Sequence, residues 1–400
     1  MISYNTHTGK TTYSDGDSLS GDLGDKVRRG DKEALQKLEE FAANKDHEQP
    51  HSQARALYEL GEVYFNGFCE VKRSTEKALE YFTQAAELND ELALIRLGEY
   101  YRDGKQGFKQ DGQKALEYFL KVAELGKKNG YELAAEIYRE GKCVKADGYK
   151  AIEFYEKLDN LDDKRAAMSI AQIYEKGCGR LKANGYKALE IYDDIIRQGE
   201  YWTKIHRDFG IKSHKLENYK EALNNAARIY LEGKAGVEPD GFKAIKYFSK
   251  LAENDDMDAV KEIAEIYLEG KAGVEPDGFK AIEHFNEIIR RDDLHEPFAN
   301  PFNALHAIAK IYRYGKAGVS QDGQKAVECY NKLAENENSS GLIYCKPDDA
   351  FQALGSIFEE GCGLVNPDMR KAIEFYQKAA DLGHYFAKNH LETLKNFNAE

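Results

Sequence analysis

Ten histidines, six cysteines and a series of Gly-Lys pairs are the residues of this 400-residue chain that could carry chemistry: metal ligation, nucleophilic attack or a phosphate cradle. Their spacing argues against each use. His206 and His214 lie eight residues apart, and His384 and His390 six apart, whereas two helical ligands to one zinc ion recur at i and i+4. No Cys-x-x-Cys and no His-Glu-x-x-His occurs. None of the Gly-Lys pairs sits in Gly-x4-Gly-Lys-Ser/Thr, and no strand precedes Gly177-Cys-Gly-Arg, so neither reads as a phosphate loop. A Cys–His nucleophile needs both groups within hydrogen-bond reach, yet Cys329 and His284 belong to different segments of the pattern described below. An enzyme would require the fold to bring Cys178, His206 and an acid together. The expectation is a chain that is not an enzyme and takes no metal and no cofactor.

Binding chemistry is better represented. The only tryptophan, Trp202, stands in the stretch Gln198–His214 beside Tyr201, His206, Arg207 and Phe209. Trp, Tyr and Arg are the usual anchors of protein interfaces, so this stretch reads as a binding loop. The competing reading makes it a pair of helix extensions whose aromatic residues pack on their neighbours.

These residues are positioned by a repeat. Eight glycines (Gly67, Gly104, Gly141, Gly177, Gly233, Gly270, Gly315, Gly361) are each followed, nine or ten residues later, by Lys-Ala. The lysines are Lys77, Lys114, Lys150, Lys187, Lys243, Lys280, Lys325 and Lys371, spaced 37, 36, 37, 56, 37, 45 and 46 residues apart. A unit of this size indicates a solenoid. Within the second unit, Ala93, Leu94, Leu97, Gly98 and Tyr101 fall at helical 3/4 spacing, Gly104 stops that helix, and Asp111 caps a second one carrying Ala115, Leu116, Phe119, Val122 and Ala123. The same roles recur in every unit: an Asp, Asn or Ser three before the lysine, an aromatic three before the glycine, a Gly or Ala six before it, and an aromatic five after the lysine. Residues 229–245 and 266–282 are identical, which points to a duplication.

This pattern resembles the Sel1-like repeat family, related to tetratricopeptide repeats. It does so through Leu97-Gly98, Tyr101 to Gly104, Asp111 to Ala115 and the pairs Ala85-Ala86 and Ala379-Ala380. The resemblance implies an all-α, right-handed α/α superhelical solenoid of about eight helix-turn-helix units, closed by terminal capping helices, that binds other proteins. Such members act as adaptors in signalling, envelope and quality-control complexes, many of them bacterial and some at the host interface. It also implies a concave surface lined mainly by the first helix of each unit, helix A. There the chain carries Glu62, Glu99 and Glu136, then Arg228, five before the glycine, and Arg102, Arg139 and Arg313 two before it. The row would be acidic at its N-terminal end and mixed or basic later: a groove that reads a partner by charge, or ordinary helix-surface charge.

The expected organisation is a flexible stretch 1–20, an N-terminal capping helix 21–50, repeats one to four over 51–197, and an insertion loop or helix extension at 198–218. Repeats five to eight follow over 219–383, with insertions at about 291–303 and 336–349, and a cap and tail complete the chain at 384–400. With 57 basic against 70 acidic residues the net charge is -13, which disfavours nucleic acid and anionic membranes as partners. No run of 18 apolar residues occurs, so no membrane span is expected. The N-terminus lacks a secretory pattern and the cysteines lack pairing, which suits a cytoplasmic protein or one exported without a cleavable signal peptide. The function expected is that of a non-enzymatic interaction scaffold or adaptor, with an inhibitor or immunity-type binder that blocks one enzyme as the alternative.

Overall fold

The computed structural model describes residues 3–5, 10–12, 15–43, 50–104, 108–159, 164–209, 214–290, 300–335 and 345–397. It divides into two compact units, residues 1–184 and 185–400. The first opens with an antiparallel hairpin, β1 (Ser3–Asn5) and β2 (Lys10–Thr12), followed by α1 (Asp15–Arg28) and α2 (Lys32–Ala43). Helices A and B of the repeats then alternate: α3 (Pro50–Asn66), α4 (Thr75–Glu87), α5 (Glu91–Asp103), α6 (Gly112–Glu124), α7 (Lys128–Glu140), α8 (Gly148–Asp159) and α9 (Lys164–Lys176). The second unit continues with α10 (Gly185–Phe209), α11 (His214–Glu232), α12 (Gly241–Ala252), α13 (Met257–Glu269) and α14 (Gly278–Arg290). It ends with α15 (Pro301–Tyr314), α16 (Gly323–Ala334), α17 (Pro347–Glu360), α18 (Met369–Asp381) and α19 (Tyr385–Phe397). Within each unit every repeat helix packs on the helices before and after it. The chain is thus an all-α solenoid. Among the described residues, no helix is long and apolar enough to cross a membrane.

Each recurring residue type has a definite job in the turn. All eight repeat glycines have φ between +62° and +79°, the left-handed region that only glycine enters without steric cost. The chain then comes back on itself: the backbone N–H of the capping residue donates to the carbonyl of the aromatic residue three before the glycine. Asp111 does so to Tyr101 at 2.8 Å, Asp277 to Tyr267 at 2.7 Å and Asp368 to Phe358 at 2.6 Å. The Asp240 carboxylate accepts the Lys243 backbone N–H at 3.0 Å, satisfying an orphan donor of α12. The recurring lysine lays its ammonium over that same aromatic ring, 4.8–5.2 Å from the centroid in seven repeats. The ring in turn stacks on helix B, as in Tyr101–Tyr118 at 5.9 Å and Tyr230–Tyr247 at 6.0 Å. His284 holds that position in the sixth repeat, stacked on Tyr267 at 6.0 Å, so it is a packing group.

Repeats are joined by a contact the sequence reading did not single out. The glycine two before the lysine donates its N–H to the turn of the next repeat: Gly148 to Cys178 at 3.2 Å, Gly185 to Ala235 at 2.8 Å, and Gly241 to Ala272 and Gly278 to Ala317, both at 2.7 Å. A Cβ at Gly278 would lie 2.7 Å from the Lys316 carbonyl oxygen, so only glycine permits this approach.

Two stretches bear on the expected organisation. Residues 1–20 contain the hairpin and the start of α1, despite their Gly, Ser and Asp content. For α1 the reason is tertiary: Leu23 and Val27 are buried against Leu38 and Leu60, the Ser20 hydroxyl donates to the Ser52 carbonyl at 3.1 Å, and Arg28 pairs with buried Glu59 at 2.7 Å. Of the two readings of 198–218, loop or helix extension, the residues up to Phe209 follow the helix extension. There α10 simply continues, and Gly199 lies against the Tyr219 ring of α11 while Glu200 pairs with Lys250 at 2.6 Å. Residues 291–299 and 336–344, where the other insertions fall, lie outside the described residues.

Candidate interaction surface

The helix A charges do not form a free row; several are tied to one another. In the first unit Arg96 of α5 reaches back to Glu62 of α3 at 3.0 Å and along its own helix to Glu99 at 3.6 Å. Arg96 and Glu99 remain about a third exposed (35% each), while Glu62 is 13% exposed. Arg102 lies on Asp103 at 2.9 Å, which also holds Lys142 at 3.1 Å. Arg139 approaches Glu136 at 3.9 Å. Burial pushes the Glu136 carboxyl above the ordinary carboxylate value, and Arg139 opposes this only in part.

In the second unit the signs are exchanged: Arg228 of α11 pairs with Glu262 of α13 at 3.3 Å. Both interhelix pairs join residues 34 apart. Arg96 and Glu262 each lie eight before their own glycine, outside the recurring positions of the repeat; opposite charges at a spacing of 34 are the signal that joins each to its partner. Arg313 of α15 donates to the Ser356 hydroxyl at 2.6 Å, which passes a bond to Glu360 at 3.2 Å. Beside it the Glu359 carboxylate accepts from the Tyr376 hydroxyl at 2.6 Å and meets His390 at 2.9 Å. Burial pushes Glu359 up, but the bonds from Tyr376 and His390 outweigh it and hold the carboxyl below its ordinary value.

Tyr201 is 64% exposed on α10. Trp202, His206 and Phe209 are on the same helix, but their side chains lie outside the described residues. Cys178 is a poor nucleophile where it stands. Its thiol donates to the Arg139 carbonyl at 3.4 Å, and burial, with Asp147, pushes its pKa up. Among the described residues, no group of three or more His, Cys, Asp and Glu is placed to hold a metal ion.

One titratable group should make stability depend on pH. His306 of α15 meets the Tyr330 ring edge-on at 6.1 Å. Burial drives its pKa down to about 4, with Lys310 adding to the effect and Asp349 opposing it. The folded value is below the ordinary 6.5, so as pH falls from 6.5 toward 4 the unfolded chain takes up the proton first and stability is lost over that window. The His306→Gln variant should lose less in its urea midpoint between pH 6.5 and 4 than the native protein. Equal losses would show that His306 does not titrate in this way.

The family model described as "Sel1 repeat" matches residues 54–90, 92–127, 131–158, 220–256, 258–293, 303–338 and 352–384. The chain belongs to the Sel1 repeat family. The match passes over the fourth repeat, yet its turn is built like the others: Gly177 has φ +74° and Asn184 donates to the Tyr174 carbonyl at 2.6 Å. Sel1 repeats are a non-enzymatic scaffold type that generally mediates protein–protein interaction. Among solved structures the chain is similar to a Sel1 repeat protein from Oxalobacter formigenes, with 20% identity over 96% of this chain and 95% of that one, TM-score 0.48. It is also similar to a protective antigen of uropathogenic Escherichia coli, with 22% identity, 93% and 73% coverage and TM-score 0.34. A sel1 repeat protein from Klebsiella pneumoniae shares 22% identity over 52% and 90% of the two chains, TM-score 0.27. No curated protein sequence matches this chain.

Proposed function

We propose that this protein is an interaction scaffold or adaptor whose helix A row, with Glu99, Arg102, Glu136 and Arg139 at its centre, receives a protein or peptide segment of matching charge. Arg96, which bridges Glu62 and Glu99 across two helices at partial exposure, carries this reading. Charges already held in place lose little freedom on binding, which favours affinity, and their alternation selects the partner. The row in the second unit, with Arg228 and Arg313, would then offer a different pattern, as an adaptor with two partners requires. Tyr201, with Trp202, His206 and Phe209 on the same helix, is the second proposed contact. The role would be regulatory or at a host interface in a bacterium, in the cytosol or after export.

The test is affinity capture with three proteins: native, the triple variant Glu99→Lys, Glu136→Lys, Arg139→Glu, and Tyr201→Ala. The expected result is a set of partners bound by the native protein and lost from the triple variant, whose circular dichroism stays native. Partners retained by the triple variant reject the row, and their loss from Tyr201→Ala alone would move the site to α10. A single one-to-one partner enzyme, inhibited on binding, would replace the adaptor reading with that of an immunity-type blocker.

A further inference from the structure

Where the duplicated segments stop being identical, they become complementary. The shared string ends at Ile245 and Ile282, and the next residue is Lys246 in one copy and Glu283 in the other. Both are exposed, and among the described residues neither forms an ion pair. One helical turn before them stand Phe242, 62% exposed, and Phe279, 65% exposed, both at the second position of their helices α12 and α14. The turn-to-turn bonds made by Gly241 and Gly278 are equivalent, so the two helix B N-termini stand at one level in successive repeats. An exposed Phe pair beside an unpaired Lys and an unpaired Glu is an interaction ridge.

We propose that this ridge is a self-association surface, its occupant being the same ridge of a second copy of the chain. Consider a two-fold axis in the contact plane, parallel to α12 and α14 and midway between them. It sets α12 of one copy against α14 of the other. Phe242 then faces Phe279 of the second copy and Lys246 faces Glu283 of the second copy, each contact occurring twice. A foreign partner would have to supply an acid opposite Lys246, a base opposite Glu283 and apolar groups at the same spacing; the chain already carries all of them in register. The surface is separate from the helix A row and does not depend on the role proposed for it.

The experiment is sedimentation equilibrium of the full chain over roughly 1–100 µM, the range in which a contact of this size would dissociate. The native protein is expected to dimerise. Phe242→Ala and Phe279→Ala, which remove exposed side chains, are expected to weaken the dimer by about tenfold each while leaving the circular dichroism unchanged. Lys246→Glu alone and Glu283→Lys alone each place like charges opposite one another twice, and each should be monomeric where the native chain is dimeric. Mixed one to one, these two variants restore both opposite-charge pairs, and the mixture should dimerise again. A native chain that is monomeric throughout overturns the proposal and leaves the phenylalanines to another partner. So does a mixture that fails to recover, or a dimer indifferent to the phenylalanine substitutions.

Discussion

Gly278→Ala is expected to uncouple the sixth repeat from the seventh, weakening their contact by about 2–4 kcal/mol through overpacking and a lost buried hydrogen bond. The added Cβ would lie 2.7 Å from the Lys316 carbonyl oxygen and 2.7 Å from a Val319 methyl, and both cannot retreat together without opening the turn. Opening it breaks the 2.7 Å bond from the Gly278 N–H to the Ala317 carbonyl. In a solenoid, stability is a sum of repeat terms and neighbour terms, so the effect should appear locally before it appears globally. Hydrogen exchange should speed up in α14 to α16 while α11 to α13 keep more of their protection. The control is Gly273→Ala, which has φ +80° and open space around it, and should show only the cost of a left-handed alanine, about 1–2 kcal/mol. If the two variants behave alike, the Gly278 bond is not the joint between repeats.

That joint also shows how far the sequence could be read. Whatever a repeat needs within itself is legible, because eight copies of an aromatic residue, a Gly, a capping Asp, Asn or Ser and a Lys at fixed offsets each point to one turn. The contacts between repeats are not, because their partners lie a full period away and the acceptor is a backbone carbonyl, which carries no side-chain signal. Gly278 donates to the carbonyl of an alanine, and any residue has a carbonyl. Glu62 and Arg228 were marked as surface charges, but Arg96 and Glu262 complete them at a spacing of 34, with the sign reversed between the two cases. The α1 segment was misread for a related reason: its glycines and serines have poor helix propensity, and only the packing of Leu23 and Val27 on a later helix overrides it. For the stretch after Gln198 the sequence leaves a loop and a helix extension open, and α10 takes the second, with Gly199 against the Tyr219 ring of α11.

The second large effect lies in the size match between Gly98 and Phe119. Phe119 is fully buried, and its ring fills the space where Gly98 has no side chain. Phe119→Ala should cost about 3–5 kcal/mol, as for any large aromatic removed from a packed core. Gly98→Leu should also be severe, because the ring is enclosed by Ala115, Leu116, Ala134 and Ile137 and has no empty volume to enter. Combined, the two changes exchange volume across the same contact, so the double variant should be more stable than the sum of the single losses predicts, by about 1–3 kcal/mol. Unfolding followed by exchange of α5 and α6 amides gives all three numbers from one region. Additivity within about 0.5 kcal/mol, the usual result for sites that do not touch, would mean that ring and glycine do not share that space. The other repeats bear on the outcome: five of the eight carry alanine at the Gly98 position opposite a Tyr or Phe. An alanine Cβ at Gly98 would still press on the Phe119 ring, so Gly98→Ala should also cost stability, but less than Gly98→Leu because a single methyl asks for a smaller shift of the ring.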